Sequence, residues 1–190
     1  MDIHPVFEWQ WALDPTYGRG GFYKHGIPMP AVASDRELVE GINARIDYTG
    51  LPIKDESVQS VVFDPPFIIK DNSSRMRMIK FGSFINPDDR QLSYLLATME
   101  MYRILRPGGI LVFKCQDDTF NHKFMPVHIQ VYNVAISAGF RPEDLFVLVT
   151  NSRPRSWNTV HQEHARKFHS YFWVFKKVTR SARLWPTTGW

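Results

Sequence analysis

Along the chain, short apolar runs bounded by turn-forming residues alternate with stretches whose apolar residues recur every three or four positions. The short runs predict strands at Trp9–Leu13, Ala31–Ala33, Arg45–Ile46, Ser60–Phe63, Ile110–Cys115, Leu145–Thr150 and Ser170–Phe175. The longer periodicity predicts a helix over Asp88–Leu105, with Leu92, Leu95, Leu96, Met99, Tyr102 and Leu105 as its apolar stripe. Arg106-Pro107-Gly108-Gly109 then stops it. A second helix is predicted over Val127–Ser137, halted by Gly139, and a shorter one from Asp35 to about Gly41. Apolar strands alternating with helices imply an α/β fold, a mostly parallel sheet covered on both faces. In such sheets ligands bind beyond the carboxyl ends of the strands, where the strand order reverses. The residues that follow each strand are therefore the ones to read for chemistry.

Two polar connections, residues 68–87 and 151–168, follow strands and so belong on that edge. Loops of this length are usually functional or disordered. The C-terminal residues 151–190 carry eight Lys or Arg against one acid, Glu163, in a chain of net charge +4. A basic segment on a near-neutral body suits a polyanionic partner, and a solvated basic tail is the plainer alternative. The chain of 190 residues, 44% hydrophobic and 22% charged, has the size and composition of one soluble domain. Cys115 is the sole cysteine, which excludes an internal disulfide and a cysteine-rich zinc site and reads as a structural thiol. No run approaches the ~20 apolar residues of a membrane span, and the N-terminus lacks the pattern of a signal peptide. Cytoplasmic residence is the expectation.

The first predicted strand leads into Asp14-Pro15-Thr16-Tyr17-Gly18-Arg19-Gly20, where glycines let the backbone turn sharply and come close to a ligand. Asp35 follows 21 residues after Asp14, near the offset at which a nucleotide-binding fold places the acid that grips a ribose diol. Capping the next helix is the other job that suits Asp35. Asp47, with Tyr48 beside it, follows the third strand and could accept from an adenine amino group. The strongest signal is Ser60-Val61-Val62-Phe63-Asp64-Pro65-Pro66-Phe67. Two prolines after a buried strand fix the backbone and remove two N–H donors, which leaves a rigid mouth with a carboxylate, a carbonyl and an aromatic ring. An exocyclic amine on a base is a poor nucleophile, because its lone pair is delocalised into the ring. Asp64 and the Pro65 carbonyl can accept both amine hydrogens and favour a pyramidal nitrogen, and Phe67 offers a face for an extruded base.

With these motifs in order, the sequence resembles the class I S-adenosyl-L-methionine-dependent amino-methyltransferases that make N6-methyladenine or N4-methylcytosine. The likeness rests on Asp14-Pro15-Thr16-x-Gly18-x-Gly20, Asp35, Asp47, Asp64-Pro65-Pro66-Phe67 and Leu105–Val112, and it covers about residues 9–177. It implies a Rossmann-like fold: a seven-stranded, mostly parallel sheet with an antiparallel terminal hairpin and helices on both faces. It implies one domain over residues 1–180, with a tail at 181–190 and nucleic-acid recognition by segments 68–90 and 151–169. His164-Ala165-Arg166-Lys167-Phe168-His169-Ser170-Tyr171 is also similar to a stretch of small phage and bacterial DNA adenine methylases.

The resemblance implies S-adenosyl-L-methionine as cofactor. Asp14, Pro15, Thr16, Gly18 and Gly20 would hold its methionine end, Asp35 its ribose, and Asp47 and Tyr48 its adenine. Asp64, Pro65, Pro66 and Phe67 would form the reacting loop. Lys70, Arg75, Arg77, Lys80, Arg153, Arg155, His164, Arg166 and Lys167 are the candidate nucleic-acid contacts. The expected partner is nucleic acid, DNA before RNA, with a homodimer or partner subunit supplying recognition the small chain lacks. His161, Glu163, His164 and His169 raise a metal site, which is set aside because a basic loop repels cations. Arg19, where the family has a small residue, and a clipped first helix leave open a non-catalytic subunit of the same fold. Methylation of RNA or of cytosine N4 stays open as well.

Overall fold

A computed structural model describes residues 11–23, 27–67, 69, 83–150, 165 and 167–178. The strands are β1 (Leu13–Asp14), β2 (Val32–Asp35), β3 (Ala44–Arg45), β4 (Val58–Phe63), β5 (Leu105–Cys115), β6 (Asp118–Phe120), β7 (Lys123–Met125), β8 (Phe140–Val149) and β9 (His169–Lys177). The α-helices are α1 (Pro87–Ile104) and α2 (Val127–Ala138). Seven strands form one sheet in the order β3-β2-β1-β4-β5-β9-β8, and β6 and β7 pair separately. The first five run parallel, while β9 is antiparallel to both β5 and β8. All seven strands expected from the sequence are present, as is the antiparallel terminal pair.

Alternation along the strands divides the core in two. Val61, Phe63, Leu111, Phe113 and Phe175 point to one face, where Tyr94, Ala97, Met101 and Ile104 of α1 and Val127, Val131 and Ala135 of α2 cover them. Val62 and Val112 point to the other face and pack against Trp11 and Tyr23. On that face the 3-10 turn Gly21–Tyr23 is the helical element among the described residues. No helix among the described residues is long and apolar enough to cross a membrane.

Four local expectations are corrected. No helix forms between Asp35 and Gly41; the chain there is bends and turns. Asp35 accepts from Glu37 N, Arg45 Nε donates to the Arg36 carbonyl, and Asn43 Oδ1 accepts from Ala33 N, so side chains satisfy a connection too short for a packed helix. Second, α1 buries Arg90, Tyr94, Ala97, Thr98, Met101 and Ile104, while Leu92, Leu96 and Met99 of the predicted stripe are exposed. Third, β5 begins at Leu105 rather than Ile110. The Pro-Gly-Gly segment is a bulge within the strand, with Gly108 at φ +80°, a conformation that disfavours a side chain. Fourth, the β6–β7 hairpin forms without strong apolar alternation, so the periodicity does not predict it.

Candidate active site

The order of the sheet reverses between β1 and β4: from β1 the chain moves outward through β2 and β3, then returns to the other side of β1 as β4. At this crevice the strands deliver acids in sequence. Asp14 ends β1, Asp35 ends β2, Asp47 lies two residues past β3, and Asp64 directly follows β4.

Asp14 is 1% exposed. Tyr23 OH donates to its Oδ2 at 2.6 Å, and Thr16 donates to its Oδ1 through N at 2.8 Å and Oγ1 at 3.1 Å. Burial pushes the Asp14 carboxyl up to about 6, against the opposing pull of the Tyr23 and Thr16 hydrogen bonds. Thr16 Oγ1 also accepts from Asp64 N at 2.8 Å, which ties the end of β4 to the loop after β1. In that loop, Gly18 N donates to Asp35 Oδ2 at 2.8 Å. The nearest atom that a Cβ on Gly18 would meet is Thr16 O at 3.9 Å, so the backbone here borders open space. Gly20 is different: at φ +64°, a Cβ would strike the Tyr17 ring.

Asp35 Oδ1 accepts from Glu37 N, so both of its oxygens are oriented by backbone amides and keep further lone pairs. Asp47 Oδ1 accepts from Thr49 N and Oγ1 at 2.9 and 2.7 Å. Burial opposes its charge, but those bonds and Arg36 hold it below the usual carboxylate range. Tyr48 is turned into the core: its ring meets Phe63 edge-on at 5.2 Å and its hydroxyl pairs with Ser93 Oγ at 3.0 Å.

The loop Asp64–Phe67 is held from two sides. On α1, Tyr94 OH donates to the Pro66 carbonyl and Arg90 Nη1 to the Phe67 carbonyl, each at 2.9 Å and one helical turn apart. Arg90 is fully buried and also bonds Asp118 Oδ2 at 3.1 Å, while its Nε and Nη2 find no hydrogen-bond partner among the described residues. On β5, Lys114 Nζ bonds Asp64 Oδ2 at 2.5 Å. Burial raises the Asp64 carboxyl and the Lys114 charge opposes that rise. No donor among the described residues reaches Asp64 Oδ1 or the Pro65 carbonyl. The Pro66 and Phe67 carbonyls and Asp64 Oδ2 are thus the acceptors of this loop that the described donors occupy.

Lys114, Arg90 and Tyr94 escape a reading of the sequence alone. Lys114 carries a signal, being a lone charge inside the apolar strand Ile110–Cys115, where charges are seldom buried without a partner. Arg90 and Tyr94 carry none, because their role depends on which face of α1 meets the sheet. Cys115, next along β5, is buried, and that burial pushes its thiol well above the usual range.

Both long connections leave and rejoin the described structure at this edge. Ile69 and Phe84 form a parallel bridge at the neck of the first. Thr150 N and Oγ1 both donate to the Phe168 carbonyl at the neck of the second. Lys167 lies beside that neck, with Nζ 4.8 Å from the centre of the Phe124 ring. Lys70, Arg75, Arg77, Lys80, Arg153, Arg155, His164 and Arg166 lie outside the described residues, as do His161 and Glu163. Beside the cleft, Asp117 Oδ1 bonds His128 Nδ1 at 2.7 Å, and Tyr171 OH donates to Asp117 Oδ2 at 3.3 Å.

No family model matches the chain, and no curated protein matches its sequence. Solved structures do share its fold. A Haloferax volcanii methyltransferase, in complex with the Trm112 methyltransferase activator, aligns with TM-score 0.55 and 11% identity over 92% of this chain and 86% of that one. An S-adenosylmethionine-dependent methyltransferase from Methanosarcina mazei aligns with TM-score 0.51 and 10% identity, covering 94% and 99%. A candidate DNA modification methylase from Thermus thermophilus, complexed with S-adenosyl-L-methionine, gives TM-score 0.51 and 18% identity over 70% of this chain. The chain spans about half the length of that Thermus protein, 54% of it. With the strand order, these likenesses establish the Rossmann-like class I methyltransferase fold.

Proposed function

We propose that the protein transfers a methyl group from S-adenosyl-L-methionine to an exocyclic amino nitrogen of a nucleic-acid base, adenine N6 in DNA. The observation that carries this reading is a loop pinned at Pro66, Phe67 and Asp64 Oδ2, in which no described donor takes Asp64 Oδ1 or the Pro65 carbonyl. Two hydrogens on one planar amine need two acceptors with fixed geometry, and fixed geometry supplies much of the rate of such a transfer.

The residues at the strand ends fit the cofactor. Its sulfonium and α-ammonium carry positive charge, and its ribose offers a diol; the site offers carboxylates at Asp14, Asp35 and Asp47 and an open backbone at Gly18. Asp14, Pro15, Thr16, Gly18 and Gly20 would frame the methionine end, Asp35 would accept from the ribose, and Asp47 would accept from the adenine amino group. When bound, the cofactor would supply a methyl already activated by its sulfonium. Asp64 and Pro65 orient the amine, Phe67 stacks the base, and the nitrogen afterwards releases one proton to water.

A nucleic-acid substrate is favoured by the basic residues of the two long connections, and DNA over RNA by the likeness of His164–Tyr171 to a stretch of small DNA adenine methylases. The test is incubation of the protein with methyl-labelled cofactor and, separately, DNA, rRNA or tRNA, followed by nucleoside mass spectrometry. N6-methyladenine in DNA is expected. Label only in RNA, or only as N4-methylcytosine, overturns the polymer or the base. Calorimetry with S-adenosylhomocysteine that shows no binding overturns catalysis itself and favours a non-catalytic subunit.

A further inference from the structure

We propose that Lys114 is a positioning residue of the reacting loop: its ammonium fixes one oxygen of Asp64, holds the carboxylate charged, and leaves the other oxygen for the substrate amine. This rests on the amino-methylation reading above. The geometry is specific. Lys114 Nζ lies 2.5 Å from Asp64 Oδ2, and the two side chains are 24% and 25% exposed, so the pair borders the cleft and is only partly screened by water. Lys114 extends from β5, which is paired directly with β4, so the sheet itself fixes the distance: Phe63 is in register with Phe113, and each charged residue follows one of them.

Asp64 needs such a partner. Half-buried at the end of a buried strand, it would otherwise tend to take up a proton, and a protonated carboxyl offers one acceptor fewer to the amine. The titratable groups that face it are Asp14 of β1 with its partner Tyr23, Tyr94 of α1, and Lys114 and Cys115 of β5. Lys114 is the one cation that bonds it among the described residues.

Two consequences follow. Asp64 acts as an acceptor that orients the amine through the oxygen that Lys114 leaves, while its other oxygen stays committed to the ammonium. The ion pair is also neutral overall, so the loop does not draw in an aliphatic ammonium; it suits the uncharged amine of an aromatic base.

The test combines the ligand-free protein with the reaction. The Asp64 carboxyl, assigned through Asp64→Asn, is titrated by carbon-13 NMR in the wild type, Lys114→Met and Lys114→Arg. Loss of the cation should raise the Asp64 midpoint by about one unit or more, and Lys114→Arg should keep it near that of the wild type. If Lys114→Met does not fold, Lys114→Gln serves for the same measurement. In turnover assays the acid limb of kcat/KM should move up by the same shift in Lys114→Met and return in Lys114→Arg. An unchanged Asp64 midpoint in the neutral variants overturns the role of Lys114. A shifted midpoint in a protein that methylates no nucleic acid leaves the pair standing and overturns the function proposed above.

Discussion

The two halves of the sheet are built by different means. From β4 onward the strands run six residues or more, apart from the small β6–β7 hairpin, and two α-helices bury their packed faces. From β1 to β3 the strands are two to four residues long, and no α-helix joins them among the described residues. What replaces packing there is a set of polar side chains on backbone groups: Asp14 on Thr16, Asp35 on Gly18 and Glu37, Asn43 on Ala33, and Asp47 on Thr49. The same carboxylates are the proposed cofactor contacts. The second half therefore holds the Asp64–Phe67 loop by polar side chains set on packed elements, whereas in the first half structure and proposed binding draw on the same atoms.

Substitutions in the two halves should fail in different ways. The largest effect is expected from Asp64→Ala: methyl transfer falls at least about a thousandfold, as when a preorganised polar group is removed from a reacting centre. Melting temperature and S-adenosylhomocysteine binding should hold, and an active Asp64→Ala protein would sink the assignment. Next is a pH effect in the first half. Asp14 has a folded value of about 6, above its ordinary 3.8, so its contribution to stability is full below about 3.8 and is lost as pH rises through 6. That shift corresponds to roughly 3 kcal/mol. Asp14→Asn, which can still accept from Thr16 and donate to Tyr23, should remove this dependence; a wild-type-minus-variant stability difference flat from pH 4 to pH 7 would count against it.

A smaller effect belongs to Asp35→Ala, which should weaken S-adenosylhomocysteine binding by about ten- to a hundredfold in calorimetry, the scale of one to two lost charge-assisted hydrogen bonds. If the fold collapses instead, the structural role of the carboxylate outweighs its binding role. Tyr94→Phe should be the mildest. It removes one bond to the Pro66 carbonyl, costs about 1 kcal/mol in denaturant unfolding, and lowers turnover without changing cofactor affinity. A change in cofactor affinity would show that the halves are less separate than drawn here.

What can be read from the sequence tracks how local the information is. Asp64-Pro65-Pro66-Phe67 announces itself because an apolar strand and two prolines act within eight residues. The strands are legible for the same reason. The face of α1 is not: the apolar stripe at Leu92, Leu96 and Met99 points to solvent, while Arg90 and Thr98 are buried because their polar atoms find partners at Phe67, Asp118 and Tyr94. Polarity alone cannot show that one nitrogen of a buried arginine bonds a carbonyl 23 residues away. The pairing of Lys114 with Asp64 spans 50 residues and follows from strand register, which no local pattern encodes.

One hydroxyl joins the two halves. Thr16 Oγ1 donates to Asp14 and accepts from the Asp64 amide, so a ligand that alters the first carboxylate's surroundings also acts on the anchor of the second. Coupling of this kind is reciprocal: by whatever factor bound cofactor changes the affinity for a base, the base changes the affinity for cofactor. Thr16 is thus the one described side chain that bonds both to the carboxylate ending β1 and to the amide following β4.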